Sequence, residues 1–527
     1  MRLPDIQIRG GTLIDGTGAA PFSGCVDITD GKISAVGGPE LPAREIIDAS
    51  GLTVTPGFID AHTHADLAAL RPEETDCFLY QGVTSCVCGN CGFSAFPLRG
   101  EGREAHLRYA QGVMGPYRAE DGWDSFAGYQ TAAAGILPLN VAFLVGHGAL
   151  RASVMGAGDR RPDPAETAAE CTLLDQQLAE GVLGLSLGLI YSPGSTAARE
   201  EFLALAETVR RHDAILAVHL RDEGAALPDS MEEIFSIARQ TGVRVELSHH
   251  KVMGLRNWGL SRTSLALAEQ ARREGLRVGL DAYPYDAACS TGLVLLPPWA
   301  LSGGVERTME LLADEAALAC MERDLKTGVP GWENLSASCT WDNLIIASLA
   351  SGDGQVLDRS IAELGHAWGC TPLRALARVL LRERGAVSVT IRGMSRADVD
   401  RILAHELTVL GSDGLFSTGA AHPRRYGAFA HFYRTYVHDG QMAPELAIAR
   451  MTGRTAERFG LQGRGLLLPG YQADLAIFQA DAFRDLADFS APQRLAVGME
   501  TVFVNGQAVL RGGVKTGARP GQILKKQ

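Results

Sequence analysis

The chain has 527 residues, 46% of them hydrophobic and 21% charged, with a formal net charge of −12, a length that suits a large barrel with a satellite domain. The acidic balance leaves no clustered Lys and Arg for nucleic acid or anionic lipid, so a small-molecule substrate is the expected partner. No stretch reaches transmembrane length, and the opening MRLPDIQIRGGTLIDGTG lacks the unbroken apolar run of a secretory signal, so a cytoplasmic protein with its ten cysteines reduced is expected.

In chain order, the first fifty residues read as short strands broken by turn signals: DIQIRGGTLID, CVDITDGKISAVGG and REIIDASGLTVTPG. The pattern returns in GYQADLAIFQAD and METVFVNGQAVLRGG. Residues 1–55 and 465–527 are therefore expected to form one split β-sandwich, with 56–464 inserted between its halves.

Within the insertion, apolar strand candidates alternate with helical stretches such as REEFLALAETVRRHDA and SLALAEQARREG, the order of a parallel sheet covered by helices. Eight strands can be placed: GFIDAH (57–62), TSCVCG (84–89), NVAFLVG (140–146), GLSLGLI (184–190), ILAVHL (215–220), RVELSHH (244–250), RVGLDAY (277–283) and LTVLGSD (407–413). The expected fold class is α/β, a (β/α)8 TIM-like barrel, and spacings of about 30 residues between several strand ends suit one βα unit each. The gap from 284 to 406 is too long for one unit. It predicts an insertion or lid around 285–345, and AVSVTIRGMS (386–395) is a ninth strand candidate that contests the seventh place.

Barrel enzymes gather their chemistry at the C-terminal ends of the strands. Here the first strand ends in His62 and His64, the second runs into Cys91, the fifth ends in His219, the sixth in His249 and the eighth in Asp413. Singly, each has a bland reading: an isolated H-x-H is two unrelated histidines, His219 a hydrogen-bonded structural residue, Asp413 a turn residue before glycine. Together, imidazole, thiolate and carboxylate converge on one mouth, and they are the donors zinc prefers. Cys86 and Cys88 alternate with Val87 and read as buried strand filler, and a zinc knuckle fails because no second ligand pair follows Cys91.

These residues resemble the amidohydrolase superfamily in PGFIDAHTHAD, in His219 and His249, and in GSDG. More closely, the chain is similar to the N-acyl-D-amino-acid deacylases, the D-aminoacylases, through GNCGFS, GHGALR, GLSLGLIYSPG, HLRDEG, SHHKVMGLRNWG, DAYPY, LLPPWA, HPRRYG, MTGRTAERFGL and GYQADLAIF, in order along nearly the whole chain. Many binuclear relatives bridge their metals with a carboxylated lysine ending strand four; GLSLGLIY has no lysine, and the D-aminoacylases use a cysteine after strand two, here Cys91.

The resemblance implies hydrolysis of N-acyl-D-amino acids to a carboxylate and a free D-amino acid. It implies one tight Zn2+ on Cys91, His219 and His249, and a second, weaker position served by His62 and His64, with Asp413 both at the metal and acting as general base, then acid. Zinc lowers the pKa of bound water to about 7 and polarises the acyl carbonyl. Lys251, Tyr283 and Arg424 resemble the family's carboxylate-binding residues, and Tyr191 lines the pocket. YPYDAACSTGL departs from the family's serine or threonine run, leaving Ser290 as the best hydroxyl with Thr291 next. His250 and Asp66 are read as structural. From Asp281 to Val305 there is no Arg or Lys, which predicts neutral or hydrophobic side chains on the substrate. The alternatives are a dipeptide hydrolase, a cyclic-amide hydrolase of the hydantoinase or dihydroorotase type, and a degenerate barrel that only binds.

Overall fold

A computed structural model describes residues 3–156, 158, 160–417 and 422–526. Eight strands form one all-parallel sheet: β1 (Phe58–Asp60), β2 (Val83–Cys88), β3 (Asn140–Gly146), β4 (Gly184–Gly188), β5 (Ile215–His219), β6 (Arg244–Leu247), β7 (Val278–Ala282) and β8 (Thr408–Leu410). The ends of the sheet meet: Ala61 N donates to Leu410 O at 3.2 Å, and Thr63 bridges Gly414 in parallel. The result is the expected (β/α)8 barrel. Its strands read as near-continuous apolar runs because each is covered on both faces, by helices outside and by packed side chains within.

The outer helices follow from their sequences. Pro164–Glu180 starts on a capping box in which Asp163 accepts from Glu166 N and Glu166 reaches back, and it stops at left-handed Gly181. Arg199–Arg211 turns Phe202, Leu205, Ala206 and Val209 inward, and Ser261–Arg273 does the same with Leu265, Ala268 and Ala271. Inside the barrel Ile59, Ala61, Val87, Ala142, Leu144 and Ala217 fill the lumen, while Phe459, Leu461 and Leu524 close its N-terminal end. No helix among the described residues is long and apolar enough to cross a membrane.

Every strand sits where the sequence places it, but β1, β4, β6 and β8 stop two or three residues early. The residues that close them leave the ladder: His249 and Asp413 have φ of 35° and 49°, incompatible with an extended strand. The ninth candidate is the middle strand of a separate sheet. Val387–Ile391 pairs antiparallel with Ala288–Thr291 and with Leu344–Leu349. It is buried along its whole length, which is why its sequence imitates a barrel strand. The excursion between β7 and β8 therefore continues well past the 285–345 segment expected from sequence.

The chain ends meet in two further sheets. Ile6–Arg9, Cys25–Thr29, Lys32–Gly38 and Glu45–Asp48 form one, and Leu475–Phe478 pairs antiparallel with Thr53–Pro56 inside a seven-stranded second. Ile8, Val26, Ile28, Val54, Leu475 and Phe503 belong to one apolar cluster shared by both. Phe58 of β1 ties this unit to the barrel, its ring centroid 6.0 Å from Phe429 and 6.1 Å from both Phe478 and Phe483.

Candidate metal centre

At the C-terminal mouth of the barrel, loops after β1, β2, β6 and β8 and the end of β5 bring His62, His64, Cys91, His219, His249 and Asp413 together, all buried. Cys91 Sγ lies 3.3 Å from His62 Nε2 and 3.1 Å from His249 Nε2, and Asp413 Oδ1 lies 3.3 Å from His64 Nε2 and 3.7 Å from His62 Nε2. The donors form three overlapping triplets: His62, His64 and Cys91; Cys91, His219 and His249; His62, His249 and Asp413. Within each, the donor atoms lie within 4.8 Å of one another, and Cys91 belongs to the first two. Two adjacent cation positions sharing one sulfur are thus available.

Three donors have left-handed backbone: Cys91 at φ 54°, His249 at 35° and Asp413 at 49°. Such geometry costs on the order of 1–3 kcal/mol at a residue bearing a side chain, and it persists only where the surroundings fix it. Each is pinned. The Cys91 loop is clasped by Ser186 of β4, which accepts from Gly92 N at 3.0 Å and donates to Gly89 O. A Cβ on Gly188 would fall 2.0 Å from Cys91 O, so only glycine lets β4 run so close beneath the loop. His249 N donates to Asp281 Oδ1 at 2.7 Å, and Asp413 N donates to His62 O at 2.7 Å.

The chemistry of the set fits a metal. Neither ring nitrogen of buried His219 makes a hydrogen bond. Burial holds His219 well below the usual imidazole range, and burial with the Lys251 charge does the same for His249, so both keep their lone pairs. Burial alone raises a carboxyl, yet Arg424, with His249 and His64 behind it, overrides this and holds Asp413 well below the usual carboxylate range. Burial pushes the Cys91 thiol up to about 11, against the pull of His62. A bound cation displaces that proton, as thiolate ligation requires.

Two carboxylates that the sequence reading passed over orient the donors. Asp281 Oδ1, besides accepting from His249 N, lies 3.1 Å from His62 Nδ1. Glu223 accepts from Lys251 Nζ at 2.7 and 2.9 Å, Lys251 Nζ lies 2.7 Å from His249 Nδ1, and Glu223 itself is 3.3 Å from that nitrogen and 3.7 Å from His219 Nε2. Metal-binding histidines characteristically give their second ring nitrogen to such a group. Asp60 joins the ends of β1 and β8 by accepting from Ser412 N at 2.8 Å and from Ser412 Oγ at 2.5 Å. The signal for Asp281 was present, since it is a lone carboxylate near the end of an apolar strand.

The other expected residues divide by position. Lys251, Tyr283, Tyr191 and Ser290 line a cavity against the donors, walled also by Val113, Met253, Val294, Leu335 and Ile391. Tyr191 Oη and Ser290 Oγ are 2.9 Å apart, whereas Thr291 caps the following turn by accepting from Leu293 N, which favours Ser290. Arg424 sits one layer back: it pairs with Asp413 Oδ2 at 2.9 Å, donates to Cys289 O at 3.1 Å and stacks 4.7 Å from the Tyr283 ring centroid. His250 bonds Ser264 Oγ on the outer side at 2.8 Å, and Asp66 is buried. Cys86 and Cys88, 3.9 Å apart, are core, and all ten cysteines are free. The cavity's free volume is about 30 Å3, room for one water. Lys251, Glu223 and Asp413 also line it, whereas Arg424 does not reach it.

Residues 45–510 match the model of the amidohydrolase family. The D-aminoacylase of Alcaligenes xylosoxydans xylosoxydans is 36% identical over 99% of this chain and 98% of its own, and the N-acyl-D-aspartate deacylase of the same organism is 37% identical over 99% and 95%. A solved structure of the N-acyl-D-glutamate deacylase of Bordetella bronchiseptica, complexed with zinc and a phosphonate inhibitor mimicking the tetrahedral intermediate, superposes with a TM-score of 0.85 at 32% identity, covering 99% of this chain and 100% of that one.

Proposed function

This chain belongs to the amidohydrolase family, and on that premise we propose that it is a zinc-dependent deacylase of N-acyl-D-amino acids. The observation that carries the reading is the Cys91, His219 and His249 triplet within 4.8 Å, beside a pocket bearing a lysine and two tyrosines. Residues 56–464 are the hydrolase domain, and 1–55 with 465–527 the sandwich domain. Cys91, His219 and His249 hold the tighter zinc, and His62 and His64, with Asp413, the weaker position. When bound, zinc supplies a Lewis acid for the acyl carbonyl and activates water near neutral pH.

The chain's own residues do the rest. Asp413, held ionised by Arg424, takes the proton of the attacking water at a carboxylate oxygen and delivers it to the leaving nitrogen. Without that delivery the tetrahedral species expels water's oxygen and reverts. Lys251 and Arg424, approached from the cavity through Tyr283, bind the substrate carboxylate, and Tyr191 with Ser290 orients the amide. The apolar wall of Val113, Met253, Val294, Leu335 and Ile391 takes a neutral or hydrophobic side chain, because it offers a second carboxylate no cation of its own.

The test is release of free amine from paired N-acetyl-D- and N-acetyl-L-amino acids (Trp, Leu, Met, Glu) by zinc-loaded protein, with Cys91→Ala as control. Fast turnover of apolar D substrates, lost in the control, is expected. Cleavage of D-Glu alone overturns the side-chain assignment, and inactivity on every N-acyl substrate, with turnover of dipeptides or hydantoins instead, overturns the reaction class.

A further inference from the structure

The opposite, N-terminal end of the barrel carries a second cavity that the deacylase reaction does not use. It has a free volume of about 470 Å3 and lies where β5 to β8 begin, beneath the helices Ser261–Arg273 and Gly453–Phe459. Small-molecule sites span about 300–1,000 Å3. Five arginines face it, Arg244, Arg272, Arg277, Arg454 and Arg458, against two carboxylates, Glu406 and Glu457. With Asp213 and Glu246, the partners of Arg277 and Arg458, counted in, the cluster carries a formal charge of +1 in a chain of −12.

Three of the arginines have partners. Arg277 pairs with Asp213 at 2.8 Å, Arg458 with Glu246 at 3.2 Å and Arg272, loosely, with Glu406 at 3.9 Å. Arg244 and Arg454 form no ion pair among the described residues. Arg244 Nη2 donates only to the carbonyl of Asp213 at 3.2 Å, its Nε is buried without a hydrogen bond, and Arg454 Nη1 reaches only the carbonyl of Glu406 at 3.5 Å. Glu457 is exposed and pairs with none of them. Burial pulls the Arg244 guanidinium below its ordinary value; the Asp213 and Glu246 charges oppose this and the Arg277 and Arg458 charges add to it.

We propose that this cavity is a binding site for a phosphorylated small molecule, with Arg244 and Arg454 gripping its phosphoryl oxygens. Guanidinium forks match tetrahedral oxyanions, and their charge-assisted hydrogen bonds are about twice as strong as neutral ones. Two guanidinium forks without a carboxylate partner suit a polyvalent phosphate better than a single carboxylate, which one fork satisfies. The volume leaves room for an organic group beyond the phosphate.

The experiment is calorimetric titration of the zinc-loaded full chain with ADP as the probe, adenosine as the phosphate-free control, and the R244S/R454S double variant. One-to-one binding of ADP is expected, with none of adenosine, and affinity about tenfold or more weaker in the double variant. The paired variant R244K/R454K, which keeps the charge but loses the fork, should fall between, and guards against a folding defect in the serine form. Deacylation of an N-acetyl-D-amino acid should be unchanged in both variants. ADP bound equally well by the double variant sits elsewhere, at the metal centre, and overturns the proposal; so does absence of ADP binding by the parent chain.

Discussion

Arg424 Nη1 stands 2.9 Å from Asp413 Oδ2, so the residue assigned to the substrate's carboxylate is paired, in the free protein, with the residue assigned to the proton. Both are buried, and the guanidinium is stacked on Tyr283. Substrate must share this cation with Asp413. Replacing Arg424 by Met should cost about 2–5 kcal/mol in kcat/KM, the usual loss when one partner of a buried charge pair is truncated. The cost should appear in both kcat and KM. Assaying an N-acyl-D-amino acid against its carboxamide checks the role: the parent should prefer the free acid, and Arg424→Met should lose that preference. An undiminished preference would place carboxylate recognition on Lys251 alone.

Asp281 holds two donors at once, through His249 N at 2.7 Å and His62 Nδ1 at 3.1 Å. Asp281→Asn keeps the shape but weakens the orientation of both. About 10- to 100-fold lower metal affinity or turnover is expected, the usual effect of removing a group that orients a ligand. Metal content after dialysis against a graded chelator, measured beside kcat, separates the two. Unaltered retention together with unaltered turnover would show that the imidazoles are held by packing alone.

Gly279 marks a close approach inside the barrel. A Cβ there would lie 0.9 Å from Arg458 Nη1 and 2.5 Å from Glu246 Oε2. Gly279→Ala should push the guanidinium out and leave Glu246 buried without its counter-charge, at about 3–5 kcal/mol of stability. Adding Glu246→Gln in that background removes the stranded charge and should restore part of the loss. Urea unfolding of the single and double variants reads this out, and a double variant weaker than the sum of the singles would refute it.

A pH effect belongs to a buried cluster behind the Cys91 loop, where Gly148 N donates to Gly92 O at 2.9 Å. His147 Nε2 meets Glu201 Oε1 at 2.6 Å with Arg151 at 3.5 Å, while Glu170 is buried with neither carboxylate oxygen hydrogen-bonded. Burial, then the Glu201 charge, pushes Glu170 up to about 8. The native state therefore keeps a proton that an unfolded Glu sheds near pH 4.3, so this contribution to stability is full below about pH 4.3 and is lost as pH rises through about 8. Glu170→Gln, which cannot ionise, should show a flatter decline over that window, measured as unfolding free energy at pH 5, 6, 7 and 8. Parallel curves for variant and parent would rule the assignment out.

Much of this was legible beforehand, for a definite reason. Strands covered on both faces are written as apolar runs, so each barrel strand announced itself, and a polar residue closing such a run stood out. Five strand ends gave the six donors in this way. Asp281 escaped because its partners, His249 and His62, lie 32 and 219 residues back, and Glu223 because Lys251 lies 28 residues on, separations that periodicity does not record. The strand Val387–Ile391 misled for the same reason that the others informed: buried on both sides, it carries the same apolar signature in a different sheet. The place of Arg424 behind Tyr283 depends on a helix that begins at its own position, and only three-dimensional packing fixes that.

The pairing of Thr53–Pro56 with Leu475–Phe478 joins segments more than four hundred residues apart, and Phe58, two positions beyond the first of them, is packed by rings from beyond residue 428. During synthesis the earliest strands thus emerge long before the segments that cover them. Contacts of such sequence separation slow folding and leave unpaired edges exposed. The first barrel strand, and with it His62 and His64, gains its full support only when the last tenth of the chain has been made. A truncation near residue 470 removes the partner of Thr53–Pro56 and should yield aggregates rather than a weakened enzyme.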